Sequence, residues 1–313
     1  MYRSLLVPLD GSPFAEEALP LAMSIARRAG ASLHLVAVAA GAGFSFLSEK
    51  DSECLAKGWQ VYLDGVVERV RSHVTVPVSA VLLEGGDVAP QISAHAESIG
   101  ADLIVVSTHG RGALGRFWLG SVPHELMSRL SQPLLLVRPG DSPVEWGHES
   151  VLRHVLVPLD GSALAEQMIE PAVAFGSLMD ADYTLLRVIS DIPLGTPEFD
   201  SISLSSSAVE VLDEIRSVRK RVQKEARDYL DGVTERLRVR GLRVKTRVTV
   251  ANDPGTAILK EVEAPGIDLI ALETHDRRGL SNLVVGSVAR KIVHGALKPI
   301  LVHSAASAKQ SSR

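Results

Sequence analysis

Along this chain, short apolar runs alternate with longer stretches whose apolar positions recur every three or four residues. The runs Leu5 to Leu9, Ser32 to Ala39, Val78 to Leu83, Leu103 to Val106 and Leu134 to Val137 predict strands. Between them, helical spacing covers Phe14 to Ala29, about Leu55 to Ser72, about Val88 to Ile99, and a stretch opening near Ser121. Pro90 is compatible with the third helix, because a proline in the first turn lacks only an N–H that has no helical partner anyway. The series then starts again. Strands fall at Val155 to Leu159, Asp182 to Ile189, Val244 to Val250, Leu269 to Leu272 and Ile300 to Val302. Helices fall at Leu164 to Met179, about Val209 to Arg240, Pro254 to Glu263, and from near Ser287. Strands this apolar belong in a parallel sheet covered on both faces. The predicted fold class is α/β: two tandem doubly wound, Rossmann-like domains, each a five-stranded parallel sheet flanked by helices.

The repetition is also literal. Val7-Pro8-Leu9-Asp10-Gly11-Ser12 returns as Val157-Pro158-Leu159-Asp160-Gly161-Ser162, which points to two copies of one domain. Matching residues are first offset by 150 (Val38 with Val188) and later by 166 (Asp87 with Asp253, Asp102 with Asp268, Pro133 with Pro299). The second copy therefore carries sixteen extra residues between Val188 and Asp253, where a serine-rich stretch and the long charged helix pattern lie. Pro139-Gly140-Asp141-Ser142-Pro143 is a breaker-rich linker, and we expect domains at 1–141 and 151–304.

Composition narrows the function classes. A formal net charge of −4, with no basic block interleaved with aromatics, argues against nucleic acid as a partner. Cys54 is the single cysteine, which excludes an intramolecular disulfide and a cysteine-built zinc site. No run approaches the ~20 apolar residues of a membrane span, and the chain enters a strand pattern at once, so the expectation is a cytoplasmic protein with no membrane partner.

Candidate chemistry gathers where each sheet should reverse its strand order, beyond the carboxyl ends of the first and fourth strands. There Ser12 and Ser162 stand where helix N-caps belong. The fourth strand of copy one runs into Ser107-Thr108-His109-Gly110, nine further residues, and Gly120-Ser121-Val122 at a helix start. Glycines beside a helix N-terminus let backbone N–H groups approach phosphate, and the helix dipole favours the anion. Ser121 adds a hydroxyl, Arg111 and Arg116 can pair with phosphate oxygens, and Asp10 can accept from ribose hydroxyls. The plainer reading is that the Asp10 and Asp160 carboxylates simply cap the helices that follow their turns. His109 and His275 have no paired nucleophile or carboxylate in the pattern and read as loop residues.

With these motifs, and with Thr274-His275, Gly286-Ser287-Val288 and the last-strand segments Pro133 to Val137 and Pro299 to Val302, the chain resembles the universal stress protein family in its tandem form. The resemblance covers nearly everything outside the 190–210 region and the tail. It implies ATP, with magnesium as a possible companion and any metal ligands unknown, bound at Gly-x-x-Gly, a nine-residue spacer and Gly-Ser/Thr. In copy one Ser107 departs from the pattern by standing for the first glycine, Gly110 is the second, Gly120 and Ser121 are the last pair and Val122 adds a backbone N–H; Pro8, Asp10 and Val38 go to adenine and ribose, and Arg111 joins from the loop reading above. In copy two it offers Asp160, Val188, Gly286, Ser287 and Val288, but Glu273 and Asp276 stand where both glycines belong. Carboxylates in a phosphate cradle repel the ligand unless a cation bridges them, so adenine nucleotide is expected mainly in copy one.

The resemblance further implies that the fifth strands of the two copies face each other as an internal pseudo-dimer, with a homodimer of the whole chain as a further expectation. The expected role is regulatory, in stress response, without catalysis. The alternatives are a surface-acting protein that binds no nucleotide and a slow ATPase; no Walker-type Gly-Lys-Ser/Thr is present.

Overall fold

A computed structural model describes residues 2–39, 49–108, 119–140, 146–147, 149–191, 206–274 and 286–304. The first copy supplies β1 (Ser4–Pro8), β2 (Ser32–Ala39), β3 (Val78–Glu84), β4 (Leu103–Ser107) and β5 (Leu134–Val137). The second supplies β6 (His154–Pro158), β7 (Asp182–Ile189), β8 (Val244–Val250), β9 (Leu269–Thr274) and β10 (Ile300–Ser304). Each copy is parallel, and their order is β3-β2-β1-β4-β5-β10-β9-β6-β7-β8. The predicted facing of the fifth strands takes the form of a shared ladder. β5 and β10 pair antiparallel, Leu134 opposite Val302 and Leu136 opposite Ile300, so one ten-stranded sheet runs through both copies.

Alternating residues of these strands feed two cores. Leu5, Val7, Leu103, Val105, Leu269 and Ala271 point to the upper face. Helices α2 (Leu19–Ala29), α3 (Glu49–Arg71), α6 (Ile169–Met179) and α7 (Ser206–Arg238) cover it. Leu6, Ile104, Val106, Leu156, Ile270 and Leu272 point to the lower face. That face is covered by α4 (Val88–Ser98), α5 (Ser121–Arg129), α8 (Pro254–Val262) and α9 (Ser287–Gly295). At 33 residues, α7 is longer than the 23-residue α3, so most of the insertion lengthens this helix.

The repeated Asp-Leu-Ile has a local cause. Asp102 accepts from the N–H groups of Arg3 (2.7 Å) and Ser4 (3.2 Å), tying the start of β4 to that of β1, and Asp268 does the same for Arg153 and His154 (2.9 and 3.1 Å).

The first helix of each copy departs from expectation. The chain forms a short α1 (Pro13–Glu16), breaks, and restarts as α2; in copy two a 3₁₀ turn, Ala165–Met168, precedes α6. Pro20 and Pro171 explain the division, since each lacks an N–H and so belongs in a first turn rather than mid-helix.

Candidate functional site

β1 and β4 are neighbours, so the turn after β1 and the loop after β4 meet at the carboxyl edge of copy one. Asp10 is half-buried there. Its Oδ1 accepts from the Ser12 N–H (2.9 Å) and from the Ser12 hydroxyl (2.6 Å), while Ser12 Oγ in turn accepts from the Ala15 N–H (3.2 Å). Gly11 permits this turn with φ of +76°. Asp10 thus braces its own turn, and it is Ser12, not the Asp10 carboxylate, that caps α1. Pro8 is buried beside it, and Val38 lies half-buried against the lower core together with Val122.

Across the crevice, Ser107 is buried at the end of β4. The Thr108 N–H donates to the Val137 carbonyl (2.9 Å), and the Gly120 N–H donates to the Thr108 carbonyl (2.9 Å), closing the base of the loop between them. Gly110 and Arg111, with the rest of 109–118, lie outside the described residues. Gly120 occupies the N-cap of α5 with φ −59° and ψ 157°, and no side chain caps that helix. Its first-turn N–H groups open at the crevice end, where Gly120 offers no side chain and Ser121 is exposed. Ser107, Gly120, Ser121 and Val122 are brought together with Pro8, Asp10 and Val38 by the two adjoining strand ends.

Copy two repeats the frame with different contents. Asp160 is exposed and accepts from the Ser162 N–H (2.8 Å), and Val188 and Val288 again lie half-buried on the lower core. Gly286 is the N-cap of α9, followed by an exposed Ser287.

Glu273, read from sequence as a repulsive group in the phosphate cradle, turns instead toward the upper face of the sheet. Its side chain is buried, and its Oε2 lies 2.8 Å from His303 Nδ1 on β10. The repulsion argument for copy two therefore rests on Asp276 alone, which lies outside the described residues. His303 went unnoticed in the sequence, although the offset of 166 aligns it with Val137 and the register pairs it with Glu273 just as Val137 pairs with Ser107.

Arg187 also went unnoticed; it stands where copy one has Ala37. Its guanidinium lies over the Tyr229 ring, 5.0 Å from the centroid, and packs so closely on Gly161 that a Cβ there would overlap it. The turn of copy two is thus filled from above by a cation that copy one lacks.

A cleft of about 950 Å³ opens between α8 and α9, with Asp253, Pro254, Leu259, Ser287, Val288 and Lys291 among its walls. Asp253 caps α8, accepting from the Thr256 N–H (3.1 Å) and hydroxyl (2.9 Å), and pairs with the Lys291 ammonium. The lysine contact, then the Thr256 bonds, hold its carboxyl down at about 2. In copy one the corresponding Asp87 makes no side-chain cap.

Among the described residues no three His, Cys, Asp or Glu side chains gather as a metal site, and no helix is long and apolar enough to cross a membrane.

A sequence model of the universal stress protein family matches residues 1–138 and again 152–303. Universal stress protein Mb2028c of Mycobacterium bovis is 26% identical over 202 residues, covering 64% of this chain and 61% of that protein; the match spans about three fifths of its length. Universal stress protein MJ0577 of Methanocaldococcus jannaschii is 26% identical over 155 residues, 48% of this chain and 93% of that protein. The crystal structure of a universal stress protein from Archaeoglobus fulgidus DSM 4304 covers 96% of each chain with a TM-score of 0.64 at 16% identity, a likeness of fold.

Proposed function

The chain belongs to the universal stress protein family, and from that premise we propose that it binds an adenine nucleotide, ATP, mainly in copy one and acts as a regulatory protein in stress response. The observation that carries this reading is the uncapped start of α5, with Gly120 and Ser121 at its mouth, set across the crevice from the Asp10 turn. Gly120, Ser121 and Val122 would hold phosphate through backbone N–H groups and a hydroxyl, joined by Ser107 at the end of β4 and by Gly110 and Arg111 from the loop. Pro8 and Val38 would offer apolar surface to the base. Asp10 would accept from ribose while keeping the Ser12 N–H, exchanging the Ser12 hydroxyl for the sugar's.

The donor set fits a bound triphosphate without assigning this chain a nucleophile or general base, so the proposed role is occupancy-dependent binding rather than catalysis. Magnesium would supply charge neutralisation on the phosphates. We place the protein in the cytoplasm on this reading.

Mass spectrometry of nucleotide carried through gentle purification tests the assignment. Wild type should retain adenine nucleotide, Gly110→Asp should lose it, and Asp276→Gly should gain a second equivalent. The reverse order, or calorimetry showing no ATP binding at millimolar concentration with magnesium, overturns it. One observation favours the rival reading of a protein that works through its surfaces alone: Asp10 is already satisfied by Ser12.

A further inference from the structure

We propose that the linker between the copies works as a strap on α1, fixing the turn that carries Asp10 and so setting how well copy one takes a ligand; the ligand half of this inference rests on the reading of copy one given above. α1 is a single turn, Pro13–Glu16. A helix that short does not hold itself in water. Its start is fixed from within, by Ser12 accepting from the Ala15 N–H and donating to Asp10. Its other end is fixed from outside, and two of the tethers there lead to the linker.

The first tether is direct: the Gly140 N–H donates to the carboxylate of Glu17, the C-cap of α1, at 2.6 Å. The second runs through α3. Glu16 pairs with Arg69 at 3.0 Å, and the Arg69 guanidinium lies over the Trp146 ring, 4.6 Å from its centroid. His73 stands against the same ring at 6.2 Å, and Trp146 packs on the upper core, so the indole is itself anchored. An exposed ion pair contributes little while both side chains are free to wander, but a guanidinium already seated on an indole holds the pair in one geometry. Further along the linker, Glu149 pairs with Arg28 at 2.7 Å and the Ser150 N–H donates to Ser24 Oγ at 3.0 Å, both on α2. Gly140, Trp146, Glu149 and Ser150 thus fasten the linker to α1, α3 and α2 of copy one.

Copy two is held differently. It keeps Glu166 on Arg236 at 2.6 Å, but Gln167 stands at the position of Glu17, and a 3₁₀ turn replaces α1. Asp160 is exposed where Asp10 is half-buried. When a ribose hydroxyl takes the place of the Ser12 hydroxyl on Asp10, the bond at the front of α1 is given up while the tethers at its rear keep the turn in position. Such preorganisation lowers the cost of binding. The coupling is reciprocal, so a ligand on Asp10 steadies the linker in return.

Hydrogen exchange on the full chain, first without ligand, tests the strap. Trp146→Ala should speed exchange of the amides at 14–18 about fivefold, whereas Trp146→Phe, which keeps a ring beneath Arg69, should stay within about twofold of wild type. The matching amides at 164–168 of copy two should not change. The proposal is overturned if 14–18 exchange as in wild type, or if 164–168 quicken equally, which would mark a general loss of stability. With ATP and magnesium, Trp146→Ala should bind about threefold to fivefold more weakly than wild type, and exchange at 149–151 should slow in wild type. Equal affinities with unmoved linker amides overturn the coupling to ligand. A wild type that binds no ATP overturns the reading of copy one, while the hold on the turn stands or falls by the ligand-free exchange.

Discussion

A carboxylate sits buried at the end of β9 with an imidazole 2.8 Å away on the neighbouring strand. A buried polar group is expensive unless it is hydrogen-bonded, and His303 provides such a contact from the register position that Val137 holds opposite Ser107 in copy one. His303→Val should cost roughly 1–3 kcal/mol in urea unfolding, the penalty for removing one partner of a buried hydrogen-bonding group. Adding Glu273→Ser, which restores the pair of copy one, should recover most of it. A single variant as stable as wild type would show that the contact contributes nothing. The sequence made Glu273 visible through the spacing of Gly-x-x-Gly, but its partner lies thirty residues onward and is joined to it only by strand register. Asp10 illustrates the opposite case: the Asp-Gly-Ser signature announced both its turn and the Ser12 cap, because both bonds close within three residues.

Among elements, strands were legible to within a residue or two; the inner ones are apolar runs with few alternatives, while the edge strands β3 and β8, largely half-buried or exposed, were marked by their β-branched residues. The first helix was not, because its apolar spacing runs on through the break that Pro20 and Pro171 impose. Packing between elements was hidden for a different reason. Gly176 on α6 lies against Tyr183 on β7, where a Cβ would overlap the hydroxyl and stand 2.7 Å from Cζ. Copy one has Ala26 and Leu33 at these positions, so a larger strand residue is accommodated by a smaller helix residue. Gly176→Ala should therefore destabilise by roughly 1–3 kcal/mol despite its better helix propensity. The double change Gly176→Ala with Tyr183→Leu should lie closer to wild type than the single one, as measured by thermal unfolding. Additive losses would show that the two positions are not coupled.

At the scale of the molecule, the two copies are fastened by more than the β5–β10 ladder. Arg138, directly after β5, donates to the carbonyls of Val293 (2.9 Å) and His294 (2.6 Å) at the end of α9, and Arg28 of α2 donates to the Leu178 carbonyl near the end of α6 (3.3 Å). Arg138→Ala should cost roughly 1.5–3 kcal/mol and speed amide exchange at the end of α9 in copy two. Unchanged exchange there would mean that the guanidinium does not hold the helix. The resemblance announced that the fifth strands face each other, but Arg138 read only as a charge after a strand, because its acceptors are backbone atoms of another domain. The antiparallel joint has an evolutionary consequence. Two separate identical chains would repeat every substitution on both sides of such a seam, and the seam would have to be strong enough to capture a partner from dilute solution. One continuous chain removes both demands. The linker keeps the halves at an effective concentration on the order of millimolar, and a substitution is inherited by one half alone. Arg138 can therefore stand at a position where the other half has Ser304, and one half can lose or exchange a ligand while its twin keeps the original.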